Sequence, residues 1–452
     1  MRSGYFIYKD EKYRFELNDE YITIVNEKGA DWKKFFDNFN KENNEINSIQ
    51  ILNVKLFPNW NDAIIFHNHN LDNIGAVSTF KIQGIIEFNN EKQKVNALEI
   101  YSKELEYIFD SKKIFESIKY DKIGSIDLKI KSPEKVNSIK KQLKLKDKII
   151  SYCFGIDGRI KYSNDGYFSS DTFLKFEWES LVEDYNFIYE IVMTGYFFLC
   201  YLCYRQNINF KRMKLLKKNE DGKYFSVAQM TLFMHDMSDA EEEYIKDYQI
   251  KFDYIKTIDD KILQAIIDEN IFIKHIPENE LKRRKITPQS FVMVSSAFEW
   301  EFNKLSPNGV EHNKKELNEI EEIKNDLLQL SINYKGSKKR TIKKVIEHIG
   351  KDSLESKIIF TNKKLGNISD TFLKYLCDLN SIKNKNIIFT NLQKLRNDFA
   401  HGNLNIDVNS DGFLGIIYLE RLVYIMQLKR FGLDDDNIKK AIIKLFEGKI
   451  GH

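Results

Sequence analysis

The chain has few cysteines, few prolines and no long apolar run, and these scarcities limit the classes of protein to which it can belong. Its longest uncharged apolar stretch, residues 191–204, contains fourteen residues, which is too short to cross a bilayer and predicts a buried helix. The first residues lack the apolar core of a signal peptide, so we expect a cytoplasmic protein without a membrane partner. The net charge of +3 excludes a chain that binds nucleic acid through its overall charge.

Cysteine and histidine chemistry are the first candidates for a site. Cys200 and Cys203 have the CxxC spacing of metal and redox sites, but no second pair and no nearby histidine accompany them. Their apolar surroundings favour buried core cysteines, since a free cysteine behaves as a small hydrophobic residue. His67 and His69 would share one face of a strand. Because no third ligand is identifiable, we predict no metal site and no cofactor.

Residues 1–150 predict a strand-rich domain. Short, β-branched and partly alternating segments follow one another without intervening helices, and two of them flank Asn18 and Asp19 as a hairpin would. This pattern is typical of an antiparallel sandwich or half-barrel. Residues 151–276 predict a mixed α/β extension, with one long buried helix over 175–206 and short strands around 209–235. They contain no glycine-rich phosphate loop, paired catalytic carboxylates or serine-nucleophile motif.

Residues 277–452 predict an all-helical bundle, so the fold class is α+β with several domains. Pro277 and Pro288, two of only five prolines, bracket a charged linker, and Thr287 before Pro288 is typical of a helix start. Residues 412–432 are apolar nearly all round and predict a central helix. Four apolar stripes at helical spacing precede it: Phe291, Val294, Phe298, Phe302 and Leu305; Leu317, Ile320, Ile323, Leu327 and Leu330; Phe372, Tyr375 or Leu376, and Leu379; Leu392, Leu395 and Phe399.

The last of these stripes carries the sequence LRNDFAHG, residues 395–402. Arg396 and His401 are the only arginine and histidine spaced five to seven positions apart in this order, although about 0.6 such pairs are expected by chance. The stripe supplies the core without His401, and Gly402 fits a helix C-cap. Asn397 lies one turn before His401, where its amide can orient the imidazole. Five residues turn a helix through about 140°, so Arg396 and His401 do not share a face.

This motif in an all-helical region resembles the HEPN family (higher eukaryotes and prokaryotes nucleotide-binding), whose R-x4-6-H motif commonly has a polar residue after the arginine. The helix containing SSAFEWEF and the last apolar helix are similar to the rest of that bundle. The resemblance covers residues 286 to about 450. Only residues 396–402 match a specific motif of the family. A strand-rich part before such a bundle resembles the ApeA-like anti-phage-defence subgroup.

The resemblance implies a metal-independent endoribonuclease that leaves a 2′,3′-cyclic phosphate and acts in abortive infection. His401 would be the general acid or base, for which an ordinary pKa of about 6.5 is suitable. Arg396 would hold the scissile phosphate with its planar guanidinium, and Asn397 would orient the site. The implied partners are RNA, an unknown phage-derived trigger sensed by the N-terminal part, and a second copy in a homodimer through the C-terminal bundle.

Two further features have open alternatives. Glu299, a charged residue within an apolar helix, either faces the motif and pairs with Arg396 or points to solvent. The densest basic run, residues 335–344, either holds RNA phosphates by charge or is a solvated connection between helices, and residues 282–285 have the same alternatives. The basic side chains in question are Lys338, Lys339, Arg340, Lys343 and Lys344.

Two other functions remain open from the sequence. One is a HEPN protein that binds RNA or nucleotide without cutting it, against which the complete Arg396, Asn397 and His401 set argues. The other is a purely structural helical bundle, with the activity in residues 1–276. That alternative requires catalytic chemistry that the first 276 residues do not show.

Overall fold

The structure is a computed structural model, and it describes residues 2–8, 11–18, 21–25, 50–74, 77–120, 126–132, 136–160, 168–233, 240–382, 385–400 and 410–447. The chain divides into two compact units. The strand unit comprises Met1–Asn270, Ile276–Leu281 and Ile443–His452, and the helical unit comprises Ile271–His275 and Lys282–Ile442. The predicted fold class, a strand-rich antiparallel region followed by an all-helical region, is confirmed.

The described strands of the first unit contain between 5 and 15 residues, and their pairings are antiparallel. In chain order they are β1 (Arg2–Tyr8), β2 (Glu11–Leu17), β3 (Tyr21–Val25), β4 (Gln50–Leu56), β5 (Asn61–Ile74), β6 (Val77–Phe88), β7 (Val95–Ser102), β8 (Phe115–Tyr120), β9 (Ile126–Ile130), β10 (Lys141–Leu145), β11 (Lys148–Ile160), β12 (Phe168–Val182), β13 (Phe210–Lys218) and β14 (Tyr224–Leu232). The predicted hairpin at Asn18 is confirmed, because β2 pairs with β3.

Six strands close into a ring, in the order β1, β2, β3, β6, β5, β4 and back to β1. Alternate side chains of these strands form one apolar cluster, which includes Phe6, Phe15, Ile24 and Ile65. Because every second residue of a strand points to the same face, the alternation seen in the sequence places one side of each strand in this cluster. The sequence predicted a sandwich or half-barrel here, whereas in the structure the six strands form a closed ring.

Strand β6 belongs to both the ring and an open sheet. Its first residues, Val77–Lys81, pair with β3, and its last residues, Gly84–Phe88, pair with β14 along the same edge. From β14 the sheet continues through β13, β7, β12 and β11 to β10. The twelve strands therefore form one continuous hydrogen-bonded system, while β8 and β9 form a separate two-stranded sheet.

The helices lie mostly in the second half of the chain. They are α1 (Lys103–Ile108), α2 (Tyr185–Cys203), α3 (Glu242–Asp247), α4 (Phe252–Ile255), α5 (Asp259–Ile267), α6 (Glu280–Arg283), α7 (Pro288–Leu305), α8 (Lys314–Ile332), α9 (Gly336–His348), α10 (Leu354–Leu365), α11 (Asn367–Leu379), α12 (Asn386–Ala400), α13 (Ser410–Arg430) and α14 (Asp435–Glu447).

The single helix predicted over residues 175–206 is wrong in its first part. Residues up to Val182 belong to β12, where Leu174, Phe176 and Trp178 are buried and the residues between them are half-buried. This alternation is the period of a strand, not of a helix. The helix α2 begins only after Asp184, whose carboxylate accepts a hydrogen bond from the Phe187 amide at 3.1 Å.

Helix α2 packs closely on the open sheet of the strand unit. Gly195 permits this contact, because a Cβ atom at that position would lie 2.5 Å from Cδ1 of Ile100 on β7. Of the helices in the described part of the chain, α2 is the one long and apolar enough to cross a membrane by length and composition alone. In the structure 78% of the most apolar 18-residue segment of α2 is buried, as is typical of a core helix.

The helical unit is organised around α13, which is buried nearly all round as predicted. Helix α7 begins where the sequence indicates: the Thr287 hydroxyl accepts from the Ser290 amide at 3.1 Å, and the Ser290 hydroxyl accepts from the Thr287 amide at 2.8 Å. The predicted stripe of α7 is buried from Phe291 to Phe302, with Leu305 half-buried. Two other stripes are partly wrong, because Leu317, Ile323, Leu330 and Leu379 are exposed. Of the alternatives Tyr375 and Leu376, Leu376 is the buried one.

Candidate functional site

Helices α7 and α12 pack side by side and define the candidate site. The rings of Phe291 on α7 and Phe399 on α12 meet edge to face with centroids 5.6 Å apart. Leu392 and Leu395, the other members of the predicted α12 stripe, are also buried. Since the apolar faces of both helices are used in this packing, the polar residues at their margin are held in a fixed mutual arrangement.

Arg396 and Glu299 meet at this margin. Nη2 of Arg396 lies 3.7 Å from Oε1 of Glu299, and the two side chains are 49% and 35% exposed. Of the two alternatives left open for Glu299, the structure has the pairing with Arg396. Because both groups are partly hydrated, the ion pair positions the guanidinium and leaves it able to bind another anion.

A second cation at the site was not predicted from the sequence. Nζ of Lys357 on α10 lies 3.8 Å from the same Oε1 atom of Glu299, and its side chain is only 18% exposed. The ammonium also lies 5.5 Å from the centroid of the Phe302 ring. Glu299 thus stands between two positive side chains, which together carry one more positive charge than it can neutralise.

An open pocket of about 250 Å³ lies beside the ion pair. Ser295 is 7% exposed, and its hydroxyl has no hydrogen-bond partner among the described residues. A buried hydroxyl without a partner costs free energy, and this enclosed oxygen reaches a polar ligand only if the Ser295 side chain turns into the pocket. The pocket is lined by Phe291, Val292, Ser295, Ser296, Glu299 and Arg396.

Asn397 takes part in a network that leads away from the pocket. Its Oδ1 accepts a hydrogen bond from Nε2 of Gln393 at 3.0 Å, and Oε1 of Gln393 accepts from the Leu354 amide at 2.7 Å. Gln393 therefore satisfies one of the free amides at the start of α10. The expected contact of Asn397 with His401 cannot be placed, because His401 and Gly402 lie outside the described residues.

The densest basic run is a helix and not a connecting loop. Lys338, Lys339, Arg340, Lys343 and Lys344 all belong to α9, and none of them lines the pocket. The basic residues 282–285 do not line it either. The structure therefore brings Glu299 to Arg396 and leaves the basic runs elsewhere in the helical unit.

The other candidates from the sequence lie in the strand unit. His67 is buried on β5, and the side chain of His69 lies outside the described part of the chain. Cys200 and Cys203 are buried and form no disulfide, and burial raises the pKa of the Cys200 thiol far above its ordinary value. A thiol with a raised pKa is a poor nucleophile and a poor metal ligand at neutral pH. Within the described ranges no three His, Cys, Asp or Glu side chains form a metal-binding group.

Comparison of the chain with protein-family models, with curated proteins and with solved structures gave no match. The function is therefore argued from the geometry around Arg396 and from the motif that contains it.

Proposed function

We propose that the chain is a cytoplasmic, metal-independent endoribonuclease of the HEPN type. The observation that carries the proposal is the pocket beside Arg396, in which a half-exposed guanidinium, held by Glu299, adjoins a buried hydroxyl without a partner. A guanidinium beside a pocket of this size is suited to a phosphodiester, because it presents a planar pair of N–H donors to two phosphate oxygens. The resemblance of residues 395–402 to the HEPN motif supplies the reaction class.

In the proposed reaction the ribose 2′-oxygen attacks the adjacent phosphorus while the bond from phosphorus to the 5′-oxygen breaks. A general base removes the 2′-hydroxyl proton, and a general acid protonates the departing 5′-oxygen. His401 serves as one of these groups, and Arg396 stabilises the negative charge that grows on the phosphoryl oxygens. The products are a 2′,3′-cyclic phosphate and a 5′-hydroxyl. No metal ion or cofactor takes part in these steps.

Lys357 extends the proposal beyond the motif. Its ammonium shares Glu299 with Arg396, so an incoming phosphate that displaces the carboxylate meets two cations at once. Charge stabilisation in a partly enclosed pocket is stronger than in bulk water. We assign Lys357 the role of binding, together with Arg396, the RNA phosphate that displaces the Glu299 carboxylate.

The proposed biological role is anti-phage defence by abortive infection. The strand unit would sense a phage-derived trigger and restrain the nuclease until the trigger arrives, and two copies of the chain would associate through the helical bundle. The alternative is a non-catalytic HEPN protein that binds RNA or nucleotide with the same Arg396 and Lys357 cations.

The first experiment compares cleavage of total cellular RNA by wild type, Arg396→Ala and His401→Ala in the presence of EDTA. Lys394→Ala is the matched control, because Lys394 is an exposed cation on the same helix that does not line the pocket. Growth of expressing cells, with and without phage, is followed in parallel, since a trigger is required if basal activity is restrained. Cleavage by wild type and Lys394→Ala that is lost in the other two variants supports the proposal.

The outcomes separate the alternatives. If wild type binds RNA in a manner that requires Arg396 but leaves it intact even in phage-challenged cells, the chain is the binding protein and not a nuclease. If all four proteins neither bind nor cut RNA, the motif is an ordinary helix end. Products that lack a 2′,3′-cyclic phosphate would contradict the reaction written above.

A further inference from the structure

Helices α8 and α9 form a hairpin that buries almost nothing within the chain. Each helix packs chiefly on the other. Both are described throughout, and Ser331 is the one buried residue between them. Exposed apolar side chains lie along the hairpin: Leu317, Ile323, Leu328, Leu330, Ile332 and Val345, between 43% and 74% exposed.

The exposed apolar residues flank the seam between the two helices. Ile320 and Leu327 of α8 and Ile342 and Ile346 of α9 are half-buried at helical spacing, so they mark the seam. At about 100° per residue, Leu317 and Leu328 fall on one side of the α8 seam, and Ile323 and Leu330 on the other. A cluster of exposed apolar side chains on one hairpin is typical of a surface that has an interaction partner.

The charges on the two helices are opposite. Helix α8 contains five acidic and three basic side chains, whereas α9 contains five basic side chains and one acidic side chain. A polyanion would be attracted by α9 but repelled by α8, and it would not cover the apolar residues. A second hairpin related by a two-fold axis would place each acidic helix on a basic helix and cover the apolar residues at the same time.

We infer that the α8–α9 hairpin is the surface through which two copies of this chain associate, with α8 of each copy on α9 of the other. The inference names the surface of the dimer proposed above. The inference depends only on observations of the hairpin. Its test measures molecular mass and not RNA cleavage, so either the inference or the nuclease proposal can be contradicted without the other.

The test uses the full chain in two charge-reversed forms. The acidic form carries Lys338→Glu, Arg340→Glu, Lys343→Glu and Lys344→Glu, and the basic form carries Glu319→Lys, Glu321→Lys, Glu322→Lys and Asp326→Lys. All eight side chains are exposed, so the fold should be retained, as circular dichroism and thermal unfolding would verify. The matched control is Lys439→Glu with Lys440→Glu, two exposed lysines on α14.

We expect wild type and the control to have twice the monomer mass of 53.6 kDa by light scattering, and each charge-reversed form to have the monomer mass. A mixture of the two forms should regain the dimer mass, because each acidic helix again meets a basic one. The eightfold variant, with both helices reversed, should dimerise by itself.

Three results would overturn the inference. Wild type could be monomeric at concentrations of tens of micromolar, or both charge-reversed forms could remain dimeric. The acidic form could also lose RNA binding while its mass stays that of wild type, in which case α9 is an RNA-binding helix and not part of an interface.

Discussion

Two glutamates on α7 lie two residues apart and have different surroundings. Glu301 is 2% exposed and accepts hydrogen bonds from Nε of Arg430 at 2.9 Å and from its Nη2 at 3.1 Å. Removing one partner of a buried pair leaves the other charge uncompensated, so Glu301→Ala should lower the free energy of unfolding by about 3 kcal/mol. Glu299→Ala, at the rim of the pocket, should lower it by less than about 0.5 kcal/mol. Urea denaturation of both variants measures the difference.

The same pair of variants separates a structural carboxylate from one at the site. Glu299→Ala should alter the salt dependence of RNA binding, because Arg396 and Lys357 lose the anion that neutralises them. If the two substitutions lower the free energy of unfolding equally, Glu299 supports the fold. That result would contradict the assignment of Glu299 to an RNA-binding pocket.

Lys357 gives a second prediction at this scale. Lys357→Gln should weaken RNA binding and reduce the slope of log affinity against log salt by about one, which is the change expected for one lost phosphate contact. The measurement uses chains that also carry His401→Ala, so that the RNA stays intact. Lys363→Gln is the control, since Lys363 is an exposed lysine on the same helix. Similar losses from both substitutions would mean that α10 contributes only diffuse charge.

At the scale of the helix, the start of α7 is set by the reciprocal hydrogen bonds of Thr287 and Ser290. Thr287→Ala removes the acceptor for the Ser290 amide and should cost about 1 kcal/mol of stability, whereas Thr287→Ser should cost much less. Thermal unfolding tests this, with Thr341→Ala in the exposed interior of α9 as the control. If Thr287→Ala and Thr287→Ser unfold alike, the cap does not stabilise the helix that carries Ser295 and Glu299.

Elements governed by local signals were predictable from the sequence. Thr287 and Pro288 mark the start of α7, and residues 412–432 are apolar nearly all round, as a central helix requires. The helix predicted from residue 175 is wrong up to Val182, where Leu174, Phe176 and Trp178 alternate with half-buried residues and an apolar helix follows directly. Closure of the six-stranded ring was not predictable, because it depends on which strand edges pair across long sequence separations.

The candidate site was predictable only in part, for the same reason. Arg396 has a motif around it, and Glu299 is conspicuous as a charge within an apolar helix. Lys357 and Ser295 carry no comparable signal, since lysines are common on helices and a serine fits either a core or a surface. Only the packing of α7 with α12 places Ser295 in the pocket wall near Arg396, and only the proximity of α10 brings Lys357 to Glu299.

At the scale of the whole molecule, one buried histidine links stability to pH. His275 in the helical unit is 6% exposed, and the centre of its ring lies 6.1 Å from that of Phe272 and 6.0 Å from that of Tyr424. Burial disfavours the imidazolium and lowers the pKa of His275 to about 4. In the unfolded chain the same group takes up a proton near its ordinary pKa of about 6.5.

The unfolded state therefore gains a proton at His275 before the native state does as the pH falls. The contribution of the neutral imidazole is fully present above about pH 6.5 and is lost progressively towards pH 4, by about 3 kcal/mol in total. We expect His275→Phe to remove this part of the pH dependence, so that urea denaturation between pH 7 and pH 4 shows a smaller loss than in wild type. His348→Gln, at an exposed histidine on α9, should leave the wild-type dependence unchanged. If His275→Phe loses as much stability as wild type over this range, acid unfolding is governed by the carboxylates, and the buried imidazole has no part in it.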